Sequence, residues 1–288
     1  NVAATFERIF NEYRESEVAE LSLYNASFYY EKGEDWENAI RVNNMYISNF
    51  PDQAFSVDLF FKNADHYLKM DNILEANRIY EEFAQRYPDD PRTVEAFYRR
   101  GNYYLDNGQE ELAKAEYNKA IARSDQFRRE GKDPNPFIAG EAVNKLADIL
   151  HEEYVSIELT QPQSNIEAQQ ARMRGLLTEL NTAYSKVLTF GSPRSFEATY
   201  NVARSYEEFA TIYANQEINP SLPSDRQFLE RKRINEESAA LYDKAIEEYK
   251  NVVDNIPVVA ERLGVDMYVS EEPEPVEEDL AVIDTTEA

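Results

Sequence analysis

The chain contains no cysteine, only two histidines and only eight glycines among its 288 residues. Without cysteine it can form neither a disulfide nor a thiolate site. The two histidines, His66 and His151, lie far apart in the sequence, and neither has a second histidine at metal-ligand spacing. We expect each to be a surface or groove histidine. Because the sequence also has no phosphate-binding glycine loop and no nucleophile-elbow motif, we expect no cofactor, no metal and no enzymatic activity.

Positive charge is scarce as well. The chain has 30 Lys and Arg against 55 Asp and Glu, which gives a formal net charge of −25. Nucleic-acid binding needs a positive face that displaces counterions, and anionic membranes attract basic segments. No apolar run approaches the roughly 20 residues that span a bilayer. We therefore expect partners that are other proteins or peptide segments, with no nucleic acid and no direct membrane insertion by this segment.

What the sequence does contain is a repeat with a period of 37 residues. The recurring positions are Ala39, Ala76 and Ala113, then Tyr30, Tyr67 and Tyr104, then Pro51 and Pro88. In each block, large, small and tyrosine residues share one face of a first helix, and a short polar turn leads to a second helix. The small residue (Ser27, Ala64 or Gly101) lets the second helix approach closely. The second helix of the first two blocks ends before a proline, which cannot continue the hydrogen-bond ladder.

These positions resemble the tetratricopeptide repeat, which has a large residue, Leu, a small residue and Tyr in its first helix and Ala, Phe, Ala and Pro in its second. The match is weaker at the Leu position, where Asn63 and Arg100 stand. The junctions Phe50-Pro-Asp and Tyr87-Pro-Asp are similar to those of bacterial cell-envelope members, such as the outer-membrane-assembly lipoprotein BamD and the Tol-associated coordinator of envelope constriction. The resemblance implies an all-α, right-handed α-solenoid of antiparallel helix pairs, with about five hairpins plus an N-terminal half-repeat.

Following the register outward predicts how the chain is divided. We expect a half-repeat or N-terminal cap at 1–17, three regular repeats at 18–133, a fourth repeat with long helices at 134–192, a fifth with an inserted loop at 193–269, and an acidic, disordered tail at 270–288. The five repeats are called units one to five. Residues 1–17 favour a fragment or processed form of a longer repeat protein, with a true cap as the alternative. The insertions in units four and five are candidate contact points.

The tail allows three interpretations. Between Ser270 and Ala288 it has eight carboxylates and no basic residue. It can be a solvated segment without a task, or a docking strip for a basic partner. In the third interpretation, Leu280, Val282 and Ile283 dock onto the last helix.

In the tetratricopeptide family, the first helix of each repeat lines a concave groove. Carried onto this sequence, the groove residues are Tyr24, Phe28, Phe61, Asp65, Leu68, Tyr98, Asn102, Leu105, Tyr200 and Arg204. An aromatic row flanked by carboxylates suits an extended or helical peptide with apolar anchors and some Lys or Arg. The alternative is that these aromatic residues pack between neighbouring repeats.

The resemblance thus implies a non-catalytic scaffold for protein–protein interaction. We expect it in the bacterial periplasm or cell envelope, with the cytoplasm as the alternative. Two other functions stay open. A structural subunit of a larger assembly, bound through its edges and convex face, would copurify in fixed stoichiometry. A small-ligand receptor or enzyme would use the inserted loops.

Overall fold

A computed structural model describes residues 2–190 and 194–263 of the chain. Within these ranges the chain forms α-helices and no strand. The helices are α1 (Val2–Glu12), α2 (Val18–Lys32), α3 (Trp36–Asn49), α4 (Ala54–Lys69), α5 (Ile73–Arg86), α6 (Arg92–Asp106), α7 (Glu110–Glu130), α8 (Pro136–Val155), α9 (Gln163–Thr189), α10 (Ser195–Ala214) and α11 (Ser224–Leu263). Each helix packs mainly on the helices before and after it in the chain. The predicted all-α solenoid of helix pairs is confirmed, and the tail at 270–288 lies outside the described residues.

The short turn between the two helices of a unit is set by the same position in units one to three. Glu34, Asp71 and Gly108 have φ values of 56°, 58° and 68°, in the left-handed region. The next residue in units one and two, Asp35 or Asn72, then caps the second helix: its side-chain oxygen accepts a hydrogen bond from the backbone N–H three residues later. The turn therefore reverses the chain within a few residues, which places the second helix back against the first.

The two helices of a unit approach most closely at the small position. Ser27, Ala64 and Gly101 are all buried there. A Cβ atom added at Gly101 would overlap the ring of Tyr117 on α7. The size of the residue at this position therefore limits how closely the two helices can pack.

Asn63, which departs from the resemblance at the Leu position, belongs to a buried chain of hydrogen bonds. Asn43 Nδ2 donates to Asn63 Oδ1 over 2.8 Å, and Asn63 Nδ2 donates to Asn44 Oδ1 over 3.0 Å. Ser27 Oγ donates to Asn43 Oδ1 from the opposite side. These bonds join α2, α3 and α4. A leucine at position 63 would leave the amide of Asn43 without this partner.

Arg100, the second departure at the Leu position, belongs to a buried ion pair. Its guanidinium lies 3.4 Å from the Glu116 carboxylate on α7 and 3.3 Å from Glu81 on α5. The side chains of Arg100 and Glu116 are only 9% and 5% exposed. Lys119 supplies a second, more exposed cation to Glu116, over 2.7 Å. The pair joins three consecutive helices across the boundary between units two and three.

The last helix does not end at a proline as the second helices of units one and two do. Pro257 has the register position of Pro51 and Pro88, but α11 continues through Pro257 to Leu263. The earlier prolines are followed by aspartate, whereas Pro257 is followed by Val258, Val259 and Ala260. A proline inside a helix removes one hydrogen bond and crowds the preceding turn, and the residues after it decide whether the helix resumes.

The small position allows a direct test with two glycines. Gly101→Ala should lower the free energy of unfolding by about 1–2 kcal/mol, because overpacking against Tyr117 exceeds the gain in helix propensity. Gly175→Ala is the control, since nothing lies within 4 Å of an added Cβ there, and it should be stabilising by about 0.5–1 kcal/mol. Thermal unfolding followed by circular dichroism measures both. A stabilising Gly101→Ala would contradict the close approach.

The ion pair predicts a difference between a single and a double substitution. Arg100→Leu should be destabilising by about 3 kcal/mol, because it leaves the buried Glu116 carboxylate with only the more exposed Lys119 as a cation. The double variant Arg100→Leu with Glu116→Leu should lose markedly less, since no buried charge remains. Urea denaturation of the two variants measures the coupling. If the double variant were the less stable one, the pair itself would be the stabilising element.

Candidate functional site

The first helices of units one and two carry an exposed apolar strip. Leu21, Tyr24 and Phe28 lie on one face of α2, at spacings of three and four residues. Phe55, at the start of α4, completes the strip, with its ring 4.5 Å from that of Tyr24. Leu21 is 60% exposed, Phe28 47% and Phe55 43%. These four residues are called the aromatic strip. Such a run of exposed apolar side chains on a folded protein marks a surface that can be covered by a partner.

A cavity of about 470 Å³ lies one turn further along the same helices. Its wall includes Glu31 of α2, Trp36 of α3, and Lys62, Asp65 and His66 of α4. His66 is 2% exposed, and its ring lies 5.5 Å from that of Trp36. This space is called the His66 cavity. Lys62 forms an ion pair with Glu31 at its edge.

A smaller cavity of about 240 Å³ adjoins it between α4, α5 and α6. Leu68 lines both cavities, and Asn102 lines the smaller one with Tyr80 and Arg99. The predicted groove residues Tyr24, Phe28, Asp65, Leu68 and Asn102 therefore lie either in the aromatic strip or at the two cavities. Together they form one continuous surface along the first helices of units one to three.

Titratable groups along this surface carry shifted pKa values. Burial raises the pKa of Asp65, and the negative charge of Glu95 raises it further, while Arg99 opposes the shift. Burial lowers the pKa of His66, against the opposing effect of Glu31. His66 is therefore neutral near pH 7. The Asp65 carboxylate would therefore be stabilised by an added cation, since desolvation and the charge of Glu95 both disfavour its ionised form.

The other predicted groove residues are placed differently. Phe61 is 7% exposed and packs on Tyr80 and Phe83. Tyr98 is half-buried, with its ring 6.0 Å from that of Tyr117, and Leu105 is half-buried against the core of the later units. Their side chains offer little surface to a partner.

Tyr200 and Arg204 lie on α10, in unit five. The Tyr200 ring is 5.6 Å from that of Tyr249 on α11. Arg204 pairs with Glu208 over 2.9 Å. They belong to a separate surface, three units away from the aromatic strip.

Sequence reasoning did not include Leu21, Phe55 or Trp36 in the groove. Leu21 could have been found, because it lies three residues before Tyr24 on the same helix face. His66 was predicted to be a surface or groove histidine. It does line a cavity on this surface, but it is not exposed, because Trp36 packs against its ring and leaves it 2% exposed. His151 is half-buried, and its Nε2 atom lies 2.6 Å from Glu208.

The insertions of units four and five contact each other. The backbone N–H of Glu217 donates to the carbonyl of Leu159 over 2.9 Å, and the N–H of Gln161 donates to the Glu217 carboxylate over 2.8 Å. Gln170 also donates to Gln216, which is 2% exposed. The two loops are therefore joined into one surface feature at the end of α8 and α10.

Two features are absent from the residues that the structure describes. No group of three His, Asp or Glu residues in 2–190 and 194–263 could hold a metal ion. Over the same residues, no helix combines the length and the apolar character needed to cross a membrane.

Neither a protein-family model nor a curated protein matches the sequence. Solved structures match at low identity. MamA is 15% identical with a TM-score of 0.36, covering 79% of this chain and 96% of that chain. A tetratricopeptide repeat protein from Parabacteroides merdae is 15% identical with a TM-score of 0.31, covering 85% and 97%. The C-terminal part of a TPR repeat-containing protein from Cytophaga hutchinsonii is 14% identical with a TM-score of 0.27, covering 85% and 100%.

Two of these three structures are tetratricopeptide repeat proteins by name. These TM-scores are too low to support the fold. The fold is assigned from the packing of the helices alone. The narrower resemblance to cell-envelope members stays a prediction.

The buried histidine predicts a pH dependence of stability. The pKa of His66 in the folded chain lies below its ordinary value of 6.5, so the unfolded chain binds the proton first as the pH falls. The free energy of unfolding should therefore decrease from about pH 7.5 to about pH 5.5. In His66→Phe, which keeps a ring against Trp36, this decrease should be smaller by about 1 kcal/mol. Urea titrations at both pH values measure the difference, and equal decreases in the two proteins would contradict a buried neutral His66.

Proposed function

We propose that this chain is a non-catalytic scaffold that binds a segment of another protein along the first helices of units one to three. The aromatic strip carries this proposal. Leu21, Phe28 and Phe55 are all more than two-fifths exposed. Exposed aromatic and aliphatic anchors beside partly enclosed cavities are typical of surfaces that bind peptides.

The chemistry of the surface favours a partner with apolar anchors and basic residues. The strip would hold the apolar side chains of an extended or helical segment. Next to it, the Glu31 carboxylate already binds a cation, since it pairs with Lys62. The pKa of Asp65 is raised because burial and the charge of Glu95 outweigh the attraction of the nearby cations. The net charge of −25 adds a long-range attraction for a basic segment.

A position in the bacterial envelope is part of the proposal. It is supported by the Phe50-Pro-Asp and Tyr87-Pro-Asp junctions, which are similar to those of envelope members of the tetratricopeptide family. Fractionation of the source cells, with the chain detected by an antibody, tests this part separately. Recovery in the cytoplasmic fraction alone would contradict it without affecting the binding surface.

The binding surface can be tested with peptides selected on the full chain from a random peptide library displayed on phage. The selected peptides should combine aromatic or aliphatic residues with Lys or Arg. Leu21→Ser with Phe28→Ser should weaken their binding by roughly tenfold or more, since anchor contacts typically contribute more than about 1 kcal/mol each. Fluorescence anisotropy with labelled peptides measures the affinity.

Leu112→Ser is the matched control, because Leu112 is 50% exposed on α7 and lies outside the strip. It should leave the affinity unchanged. Circular dichroism should show the same helix content in all variants, since the substituted side chains are largely exposed. Equal affinity of the double variant and the wild type would rule out the aromatic strip as the binding surface.

A further inference from the structure

Each unit presents one side of its two helices to the next unit, and this side is called the trailing face. In unit one, Tyr24 meets Phe55 and Asn44 meets Asn63, both on α4. In unit four, Asn181 Nδ2 of α9 donates a hydrogen bond to the phenol oxygen of Tyr206 on α10, over 3.1 Å. The first helix of the following unit thus covers the trailing face before it.

Unit two shows the contacts that cover a trailing face in most detail. The Arg92 guanidinium of α6 lies over the ring of Phe61, 5.7 Å from its centroid. Arg100 of α6 pairs with Glu81 of α5 over 3.3 Å. The covered Phe61 is only 7% exposed.

In unit five, no described residue covers the trailing face. Tyr200 stands three residues before the small residue, the position that Phe61 has in unit two, and it is 49% exposed. On α11, Ile246 and Val253 are 50% and 63% exposed. With Tyr249 and Lys250 they line an open cavity of about 400 Å³. The equivalent positions of unit one, whose trailing face is covered, carry Ile40 and Ile47, which are buried and half-buried.

Two positions on this face carry a basic residue where unit two has an acidic one. Arg204 stands at the position of Asp65, one residue after the small residue, and is paired with Glu208. Lys250 stands at the position of Glu81, one residue after the tyrosine that both units share. In unit two, Glu81 receives an arginine from the covering helix. By the same register, a segment that covers unit five would place a carboxylate near Lys250, while Asp254 on the same cavity restricts this preference to one side.

We propose that the trailing face of unit five is covered by the acidic segment of this same chain, residues 270–288. In units one to four the cover is always the segment that follows the second helix directly, and here that segment follows α11. Its sequence has eight carboxylates, no basic residue, and the apolar residues Leu280, Val282 and Ile283. It therefore supplies carboxylates for Lys250 and apolar side chains that can cover Ile246 and Val253.

The connecting chain is long enough for this contact. Leu280 is 17 residues beyond Leu263, and Ile246 is 17 residues before it. An extended chain of that length spans up to about 56 Å, whereas the same number of helical residues spans about 26 Å. The segment can therefore fold back along α11 to Ile246 without strain.

The absence of cysteine makes a disulfide experiment on the full chain free of background. Ile246→Cys combined with Val282→Cys should form a disulfide within one chain under mild oxidation. Asn255→Cys combined with Val282→Cys is the control, since Asn255 is exposed on the opposite side of α11 and lies closer to the segment along the chain. The first pair should close roughly tenfold faster, because docking raises the effective concentration on one face. Gel mobility and mass spectrometry measure the rates.

A charge reversal tests the electrostatic part. Added to the Ile246 and Val282 cysteine pair, Lys250→Glu should slow closure several-fold, whereas Lys232→Glu, at the other end of α11, should not. Equal rates for the two cysteine pairs would overturn the proposal. A disulfide between two chains would also overturn it, in favour of a second copy as the occupant. Neither result depends on the peptide-binding surface of units one to three.

Discussion

A pair of helices cannot bury both of its own sides, and this constraint organises the whole chain. The two helices of a unit pack on each other through a small residue, which leaves an apolar trailing face to be covered. The next unit covers it with its first helix, as Arg92 and Arg100 do for unit two. Each unit is therefore stabilised by the unit that follows it, and the boundary between two units is buried like the interior of one unit.

The period of 37 residues predicted the helix pairs because it records contacts within a unit. It could not explain Asn63 and Arg100, which weaken the match at the Leu position. Their partners, Asn43 and Glu116, are on different helices, so a single repeat read alone shows only an unfavourable polar residue. Polar pairing across helices replaces apolar packing at these two boundaries. Pro257 also depends on its context, because the residues after it differ from those after Pro51 and Pro88.

The candidate surface was predictable as a helix face but not as an exposed one. Spacing placed Tyr24, Phe61 and Tyr200 in one row, and they do share a register position. Their exposure differs because the next unit covers Phe61, whereas no described residue covers Tyr200. Position in a repeat fixes the direction of a side chain, while exposure depends on its neighbours. Phe55 was missed because it joins the strip from another helix, through its contact with Tyr24.

The same constraint indicates where a repeat protein can differ from its neighbours in function. Interior faces must satisfy the next helix, so their residues are restricted to those that pack or pair there. The choice of residue is least restricted where a face contacts no other helix. Such faces lie along the outer row of first helices and on the last described unit. In this chain the first carries Leu21 and Phe28, and the second carries Ile246 and Val253. Two apolar surfaces of different origin, one next to the Asp65 carboxylate and the other next to Lys250, would select segments of opposite charge.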